Sequence, residues 1–237
     1  MSRAATPADV IAGAARWCVV EGDALALLAS LPDGCVDAVI SDPPYGIEWR
    51  GEAWDADIPP QHTVTDALRV SKGAVLWFAA ASRVLDFGAY APRPDRVIAW
   101  APTFTLSGAR VHGLLFHWDP IVAWRPDARR GASVFADVVR HRRAVAADAW
   151  WDHGCTKPLP LMRDLVSSFT DPGAVILDPF AGSGTTGVAA ISEGRRVILC
   201  ERVPEYAEIA RRRCEAAAQG TDWRADPRQL SLLGGAS

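Results

Sequence analysis

Val175-Ile176-Leu177-Asp178-Pro179-Phe180-Ala181-Gly182-Ser183-Gly184-Thr185-Thr186-Gly187 reads as a buried strand, a glycine turn and the start of a helix. Gly182 and Gly184 tolerate positive φ and let a ligand approach the backbone closely. The free amides at the helix start favour an anionic or carboxylate group. The next strand, residues 196–200, ends in Glu201, 23 residues beyond Asp178. A carboxylate at that place can accept hydrogen bonds from both hydroxyls of a ribose. Taken literally, Gly182-x-Gly184-x-x-Gly187 is the dinucleotide fingerprint of an NAD oxidoreductase; it also fits a tight turn that binds nothing.

Outward from this stretch, short apolar runs alternate with helical patterns. That is the signature of an α/β fold with a mostly parallel sheet. Strands are expected at residues 17–20, 36–40, 74–80, 96–101, 174–178 and 196–200, with a strand pair or a long bent strand at 113–124. Helices are expected at 24–31, capped by Asp23, at 158–169 with proline in the first turn, at 186–193 and at 204–217. Two segments break the rhythm. Residues 48–61 form a loop rich in tryptophan and acid, and residues 125–152 are arginine-rich with weak periodicity. Loops at the carboxyl ends of the strands carry the chemistry in such folds. There is no internal repeat, and the tail after Gln219 is polar and turn-rich.

The chain has 237 residues, 49% apolar and 22% charged, as expected of a globular domain. No apolar run approaches the roughly 18 residues of a membrane span. Residues 4–15 are alanine-rich but interrupted by Asp9, and they read as a short leader into the fold, not a secretion signal. The five cysteines (Cys18, Cys35, Cys155, Cys200 and Cys214) include no C-x-x-C pair. A zinc site and a disulfide framework are therefore disfavoured, and no metal and a cytoplasmic setting are expected. The net charge is −3, yet residues 93–143 hold nine arginines against four aspartates. A basic middle in an acidic whole suggests one positive face for nucleic acid, with solvated surface arginine as the plain alternative.

Asp42-Pro43-Pro44-Tyr45 follows the strand at 36–40. By itself it is a proline turn. Taken together, the four residues suit a specific task. The exocyclic amine of a nucleobase is a poor nucleophile, because its lone pair is delocalised into the ring. Asp42 can accept one N–H and the Pro43 carbonyl the other, favouring a pyramidal nitrogen aimed at a methyl group. Two prolines hold that carbonyl before the substrate arrives. Tyr45 offers a flat face on which a base can stack. No general base is needed in advance, since the proton can leave after transfer. An amine within a duplex is unreachable, so the base must be flipped out. Trp49 and Trp54 lie just beyond the loop, where they could cover such a base or simply pack.

These pieces together resemble the β-group of DNA amino-methyltransferases, the N6-adenine and N4-cytosine family, particularly its small phage or restriction-modification members. Gly22-Asp23-Ala24-Leu25 looks like the segment leading into the catalytic loop, with Asp23 at the position that contacts the cofactor's adenine. Ser41-Asp42-Pro43-Pro44-Tyr45-Gly46 matches the catalytic motif. His153-x-x-x-Lys157-Pro158-Leu159 looks like the family's His-Pro-Thr-x-Lys-Pro helix entry, from which Lys157 helps hold the cofactor; Gly154 and Cys155 depart from it. Asp178, Phe180, Gly182, Ser183, Gly184, Thr185, Thr186 and Glu201 complete the match.

The resemblance implies a Rossmann-like S-adenosylmethionine-dependent fold, with a mixed, mostly parallel sheet, helices on both faces and permuted motif order. The catalytic loop precedes the cofactor loop by 136 residues. It also implies one methyltransferase domain over residues 1–237, a short target-recognition insert at about 103–151 and a flexible tail at about 219–237. Double-stranded DNA would then meet Trp49, Arg125, Arg129, Arg130, Arg140, Arg142 and Arg143. Asp, not Ser, as the first residue of the tetrapeptide goes mostly with adenine N6. Cytosine N4, RNA amines and a catalytically silent DNA-binding protein remain as alternatives. Cytosine-C5 chemistry needs a nucleophilic cysteine, usually after proline, and no Pro-Cys occurs. His117-Trp118-Asp119 departs from the His-Glu pair common near the family's site. Homodimers are common in the family. The tail segment Gln229-Leu230-Ser231-Leu232-Leu233 resembles the peptide by which bacterial proteins dock on the sliding clamp, or it folds back on its own core.

Overall fold

The structure is a computed structural model and describes residues 4–46, 58–90, 92–102, 110–111, 114–115, 118–127, 135–143 and 156–221. The chain opens with α1 (Pro7–Ile11), β1 (Trp17–Glu21), α2 (Ala24–Ser30) and β2 (Ala38–Ser41). Next come α3 (Gln61–Val70), β3 (Val75–Phe78), a 3₁₀ helix (Ala81–Ala89), β4 (Arg96–Trp100) and the two-residue strands β5 (Arg110–Val111) and β6 (Leu114–Leu115). It ends with β7 (Asp119–Trp124), β8 (Val138–Val139), α4 (Leu159–Phe169), β9 (Val175–Asp178), α5 (Thr185–Ser192), β10 (Arg196–Glu201) and α6 (Pro204–Gln219).

Eight strands form one sheet in the order β1-β10-β9-β2-β3-β7-β4-β8, while β5 and β6 pair separately. Every neighbouring pair in the large sheet is parallel except those made by β7, which runs antiparallel between β3 and β4. The mixed α/β sheet matches the expected fold class.

Successive strand residues point to opposite faces, so each central strand feeds two cores. Ile40, Leu76, Phe78 and Ile176 pack with Leu161, Met162 and Leu165 of α4 and with α5 and α6. Val39, Val75, Trp77 and Leu177 pack on the other face with Leu27 and Leu28 of α2 and Val64, Ala67 and Val70 of α3. These strand residues are fully or almost fully buried, which is why the sequence reads as continuous apolar runs rather than alternation.

Two local readings change. Residues 4–15 are not merely a leader: Thr6 and Asp9 form a capping box that starts α1. Val10 of that helix is buried, and Arg196 donates to its carbonyl at 2.6 Å. Helix α3 and the 3₁₀ helix arise where no element was expected. Where a strand pair or a long bent strand was expected at 113–124, the described residues form two strands, β6, which pairs with β5, and β7, which lies between β3 and β4. Among the described residues, no helix is long and apolar enough to cross a membrane.

Candidate active site

Strands β9 and β2 are parallel neighbours. From β9 the chain moves to β10 on one side, and from β2 to β3 on the other. Their following loops diverge at the carboxyl ends and open a crevice, the usual ligand place in such sheets. Asp178 ends β9 and Ser41 ends β2. Ser41 Oγ donates to Asp178 Oδ1 at 2.7 Å, and the Phe180 amide donates to the same oxygen at 3.1 Å. The glycine loop and the Asp42 loop therefore meet, as the sequence reading required. Asp178 is buried, and burial pushes its carboxyl up to about 6. Hydrogen bonds from Thr186, Ser41 and the Phe180 amide oppose that rise, and the nearby charge of Asp42 adds to it.

A cavity of about 340 Å³ fills the crevice, within the usual range of small-molecule sites. Asp23, Asp42, Lys157, Asp178, Phe180, Gly182, Ser183, Thr185, Thr186 and Glu201 all line it. Glu201 accepts from the Gly182 amide and from the Val203 amide, each at 2.8 Å. Burial raises its carboxyl above the ordinary range, against those amides, which favour the ionised form. Each carboxylate oxygen has further lone pairs, so Glu201 is positioned yet can still accept. Asp23 caps α2 by accepting from the Ala26 amide at 2.9 Å. Asp23, Asp42, Asp178 and Glu201 give the cavity an acidic lining suited to a cationic ligand with a ribose diol, and the chemistry of S-adenosylmethionine fits it.

The glycines divide their work. Gly182 has φ +50°, and a Cβ there would meet no atom within 4 Å, so its open side belongs to the cavity. Gly184 does not line the cavity; it has φ +80°, and a Cβ would fall 2.8 Å from Ala210 Cβ, so it lets α5 approach α6. A Cβ at Gly187 would strike Cys214 and Leu199 at 2.6 Å. One residue behind the loop escaped sequence reasoning. Arg213, buried in α6, donates to the Ser183 carbonyl and hydroxyl at 2.7 Å each and to Thr185 Oγ1 at 3.2 Å. No local motif marks it, because its partners lie about 30 residues earlier.

In the Asp42 loop, Tyr45 Oη donates to Asp42 Oδ1 at 2.5 Å. Lys157 donates to Asp42 Oδ2 at 2.5 Å and to Tyr45 Oη at 3.2 Å. Pro43 and Tyr45 line a second cavity, of about 440 Å³, with Trp77, Phe78, Phe87 and Tyr90. Pro44, Ile58 and Pro59 line both cavities, so the two adjoin. Neither the aromatic wall nor the Ile58-Pro59 partition was foreseen. A Cβ at Gly46 would lie 2.6 Å from Ile58 Cγ1, so this glycine lets the loop seat against the partition.

The basic middle separates into two ends of the sheet. Arg140, Arg142 and Arg143 follow β8 and are exposed. Strand β8 is parallel to β4, so they emerge at the same end as the Asp42 loop. Arg143 pairs with Asp119 at 2.7 Å and lies 4.9 Å over the Trp100 ring. Arg125 does not join them. It follows antiparallel β7, so it emerges at the opposite end. There its guanidinium donates to the carbonyls of Leu68 and Ser71, at the end of α3. Trp49, Trp54, His117, Arg129, Arg130, His153 and the Gln229–Leu233 segment lie outside the described residues.

Residues 120–212, which carry the glycine loop and Glu201, match a family model described as DNA methylase. Over 86% of this chain and 96% of the relative, the sequence is 29% identical to YubD of Escherichia coli strain K12, which is named as a methylase. It is 25% identical to the DNA adenine methyltransferase YhdJ of the same organism, over 84% and 83%. Among solved structures, M1.HpyAVI in complex with SAM superposes with a TM-score of 0.63 at 20% identity, covering 83% of this chain and 99% of that one. The cytosine-N4-specific PvuII DNA methyltransferase superposes with a TM-score of 0.67 at 18% identity, covering 92% and 91%. The two motif loops meet at the switch point of the sheet, and the matches show that residues 120–212 are similar to the N6/N4 DNA methylase family and that the chain shares the fold of these S-adenosylmethionine-dependent methyltransferases.

Proposed function

We propose that this protein transfers a methyl group from S-adenosylmethionine to the N6 amine of an adenine flipped out of duplex DNA. The observation that carries the reading is the place of Asp42. It lines the acidic cavity, while its neighbours Pro43 and Tyr45 line the adjoining aromatic one. A donor on one side and a base on the other would meet at this carboxylate.

S-adenosylmethionine supplies an electrophilic methyl group on a sulfonium. Asp42 accepts one N–H of the target amine and the Pro43 carbonyl accepts the second, so the lone pair leaves the ring and points at the methyl. Tyr45 stacks on the base, and its hydroxyl, bonded to Asp42, fixes the ring relative to the carboxylate. Asp23 and Glu201 hold the donor's adenosine, with Gly182 giving its backbone room to approach. Arg140, Arg142 and Arg143 face the phosphates. The aspartate in the tetrapeptide and the relative named as an adenine methyltransferase favour adenine over cytosine N4.

The test is incubation of the full chain with methyl-labelled S-adenosylmethionine and duplex DNA, then digestion to nucleosides. Label on N6-methyldeoxyadenosine is the expected result. Label on N4-methyldeoxycytidine would transfer the reading to cytosine. No label on any DNA of mixed sequence would favour a silent DNA-binding role.

A further inference from the structure

Resting on the reading of Asp42 as the acceptor of the target amine, we propose that Lys157 is a positioning residue for methyl transfer. Its ammonium holds the Asp42 carboxylate and the Tyr45 hydroxyl in one arrangement before the base arrives. The sequence pattern places this lysine at the cofactor. The structure places Lys157 in the lining of the acidic cavity and its ammonium on the catalytic loop.

Three contacts carry the inference. Lys157 Nζ donates to Asp42 Oδ2 at 2.5 Å and to Tyr45 Oη at 3.2 Å, while Tyr45 Oη donates to Asp42 Oδ1 at 2.5 Å. The three groups therefore close a ring of hydrogen bonds, and neither carboxylate oxygen can turn without breaking one of them. The same ammonium lies 5.5 Å from the Tyr45 ring centre and 5.1 Å from that of Phe78. Those distances are within cation–π reach.

The ring is sheltered and firmly based. The Lys157 side chain is 12% exposed and that of Asp42 is 25% exposed, so solvent screens the pair only in part. Lys157 directly precedes Pro158, the N-cap of α4, and Leu161, Met162 and Leu165 anchor that helix in the core. The backbone under the lysine is thus set by packing and not by the pair itself. The site also brings Asp42 close enough to Asp178 for its charge to be felt there.

An ionised carboxylate has about four acceptor sites. Lys157 and Tyr45 take one on each oxygen, which leaves a site for an amine N–H without displacing either donor. Lys157 contributes orientation to the reaction while its own proton stays in place.

The experiment uses the purified full chain with single substitutions at Lys157 and Asp42. Lys157→Met is expected to lower the single-turnover rate at saturating cofactor and DNA by about 100-fold, the scale of losing one preorganised donor. Cofactor affinity, read by calorimetric titration, should stay within about threefold, because the contact is to the catalytic loop. Lys157→Arg should recover part of the rate, and ethylammonium should partly rescue Lys157→Ala. Weakened cofactor binding with an unchanged saturated rate would overturn the proposal and make Lys157 a cofactor contact. An unchanged rate in Lys157→Met, with Asp42→Asn inactive, would overturn the positioning role alone. Retained transfer in Asp42→Asn would overturn this role and the assigned role of Asp42 together.

Discussion

Ser41 Oγ and Asp178 Oδ1 lie 2.7 Å apart, joined by a buried hydrogen bond between residues 137 positions apart in the chain. The bond ties the ends of two central strands and the two loops that leave them. Removing it with Ser41→Ala leaves Asp178 with Thr186 and the Phe180 amide but deprives a buried carboxylate of one of its two side-chain donors. The expected cost is about 1–3 kcal/mol of stability, read as a lower midpoint in chemical denaturation. A larger effect is expected on turnover than on cofactor affinity, because the Asp42 loop loses its tie to the donor site. Equal losses in both would mean the bond serves the sheet and not the register of the loops.

Asp178 itself makes stability depend on pH. Its carboxyl is raised from 3.8 to about 6, chiefly by burial. The folded state therefore binds the proton more tightly than the unfolded chain does. The stabilisation from protonated Asp178 is full below about pH 4 and is lost as pH rises through about 6. Asp178→Asn, which cannot ionise, should gain stability relative to the parent over that window. The measurement is the difference in denaturation midpoints between the two proteins at pH 4, 5, 6 and 7. A difference that stays flat would show that Asp178 is ionised throughout.

Gly182 and Gly184 should fail in different ways when given a methyl group. At Gly182 the added Cβ meets nothing within 4 Å, so Gly182→Ala pays mainly for φ +50°, about 1–2 kcal/mol. Its Cβ would stand where a cofactor approaches the backbone, and cofactor affinity should drop at least about tenfold, one RT ln 10 step. At Gly184 the added Cβ would sit 2.8 Å from Ala210 Cβ and 2.9 Å from its Cα. Overpacking of a helix pair adds roughly 1–3 kcal/mol to the φ cost, so Gly184→Ala should mainly lower thermal stability. Cofactor titration and thermal unfolding of both variants separate the two roles.

Much of this site is legible in the sequence because its chemistry is local. Asp42 to Tyr45 and Asp178 to Gly187 are consecutive residues at strand ends, and the apolar runs before them mark the strands. What the sequence hides depends on direction and distance. The residues of β7 are nearly all buried, and a strand buried on both faces reads the same in either direction, so its antiparallel course leaves no trace. Helix α3 follows two prolines, and although its buried positions, Thr63, Val64, Ala67 and Val70, fall at helical spacing, the small or polar Thr63 and Ala67 make that stripe weakly apolar. The contacts of Arg213 with Ser183, and of Lys157 with Asp42, join separate segments and exist only once the sheet has formed. Charge counting grouped Arg125 with Arg140, Arg142 and Arg143, because composition does not say toward which end of a strand a side chain emerges.

That last distinction can be measured. Arg140 and Arg142 are exposed and follow β8, at the sheet end shared with Asp42. If each neutralises one phosphate, Arg140→Ala and Arg142→Ala should each reduce the slope of log affinity against log salt by about 0.9. Arg125 emerges at the other end and donates to the Leu68 and Ser71 carbonyls at 2.7 and 2.9 Å. It also holds φ +48°, unusual for a residue with a side chain. Arg125→Ala should therefore lower stability by about 1 kcal/mol through the lost cap on α3, with the salt slope unchanged. Arg125→Gly would relieve the backbone while still losing the cap, so it should fall between the parent and Arg125→Ala in unfolding midpoint. A reduced salt slope in either Arg125 variant would place this arginine on the DNA.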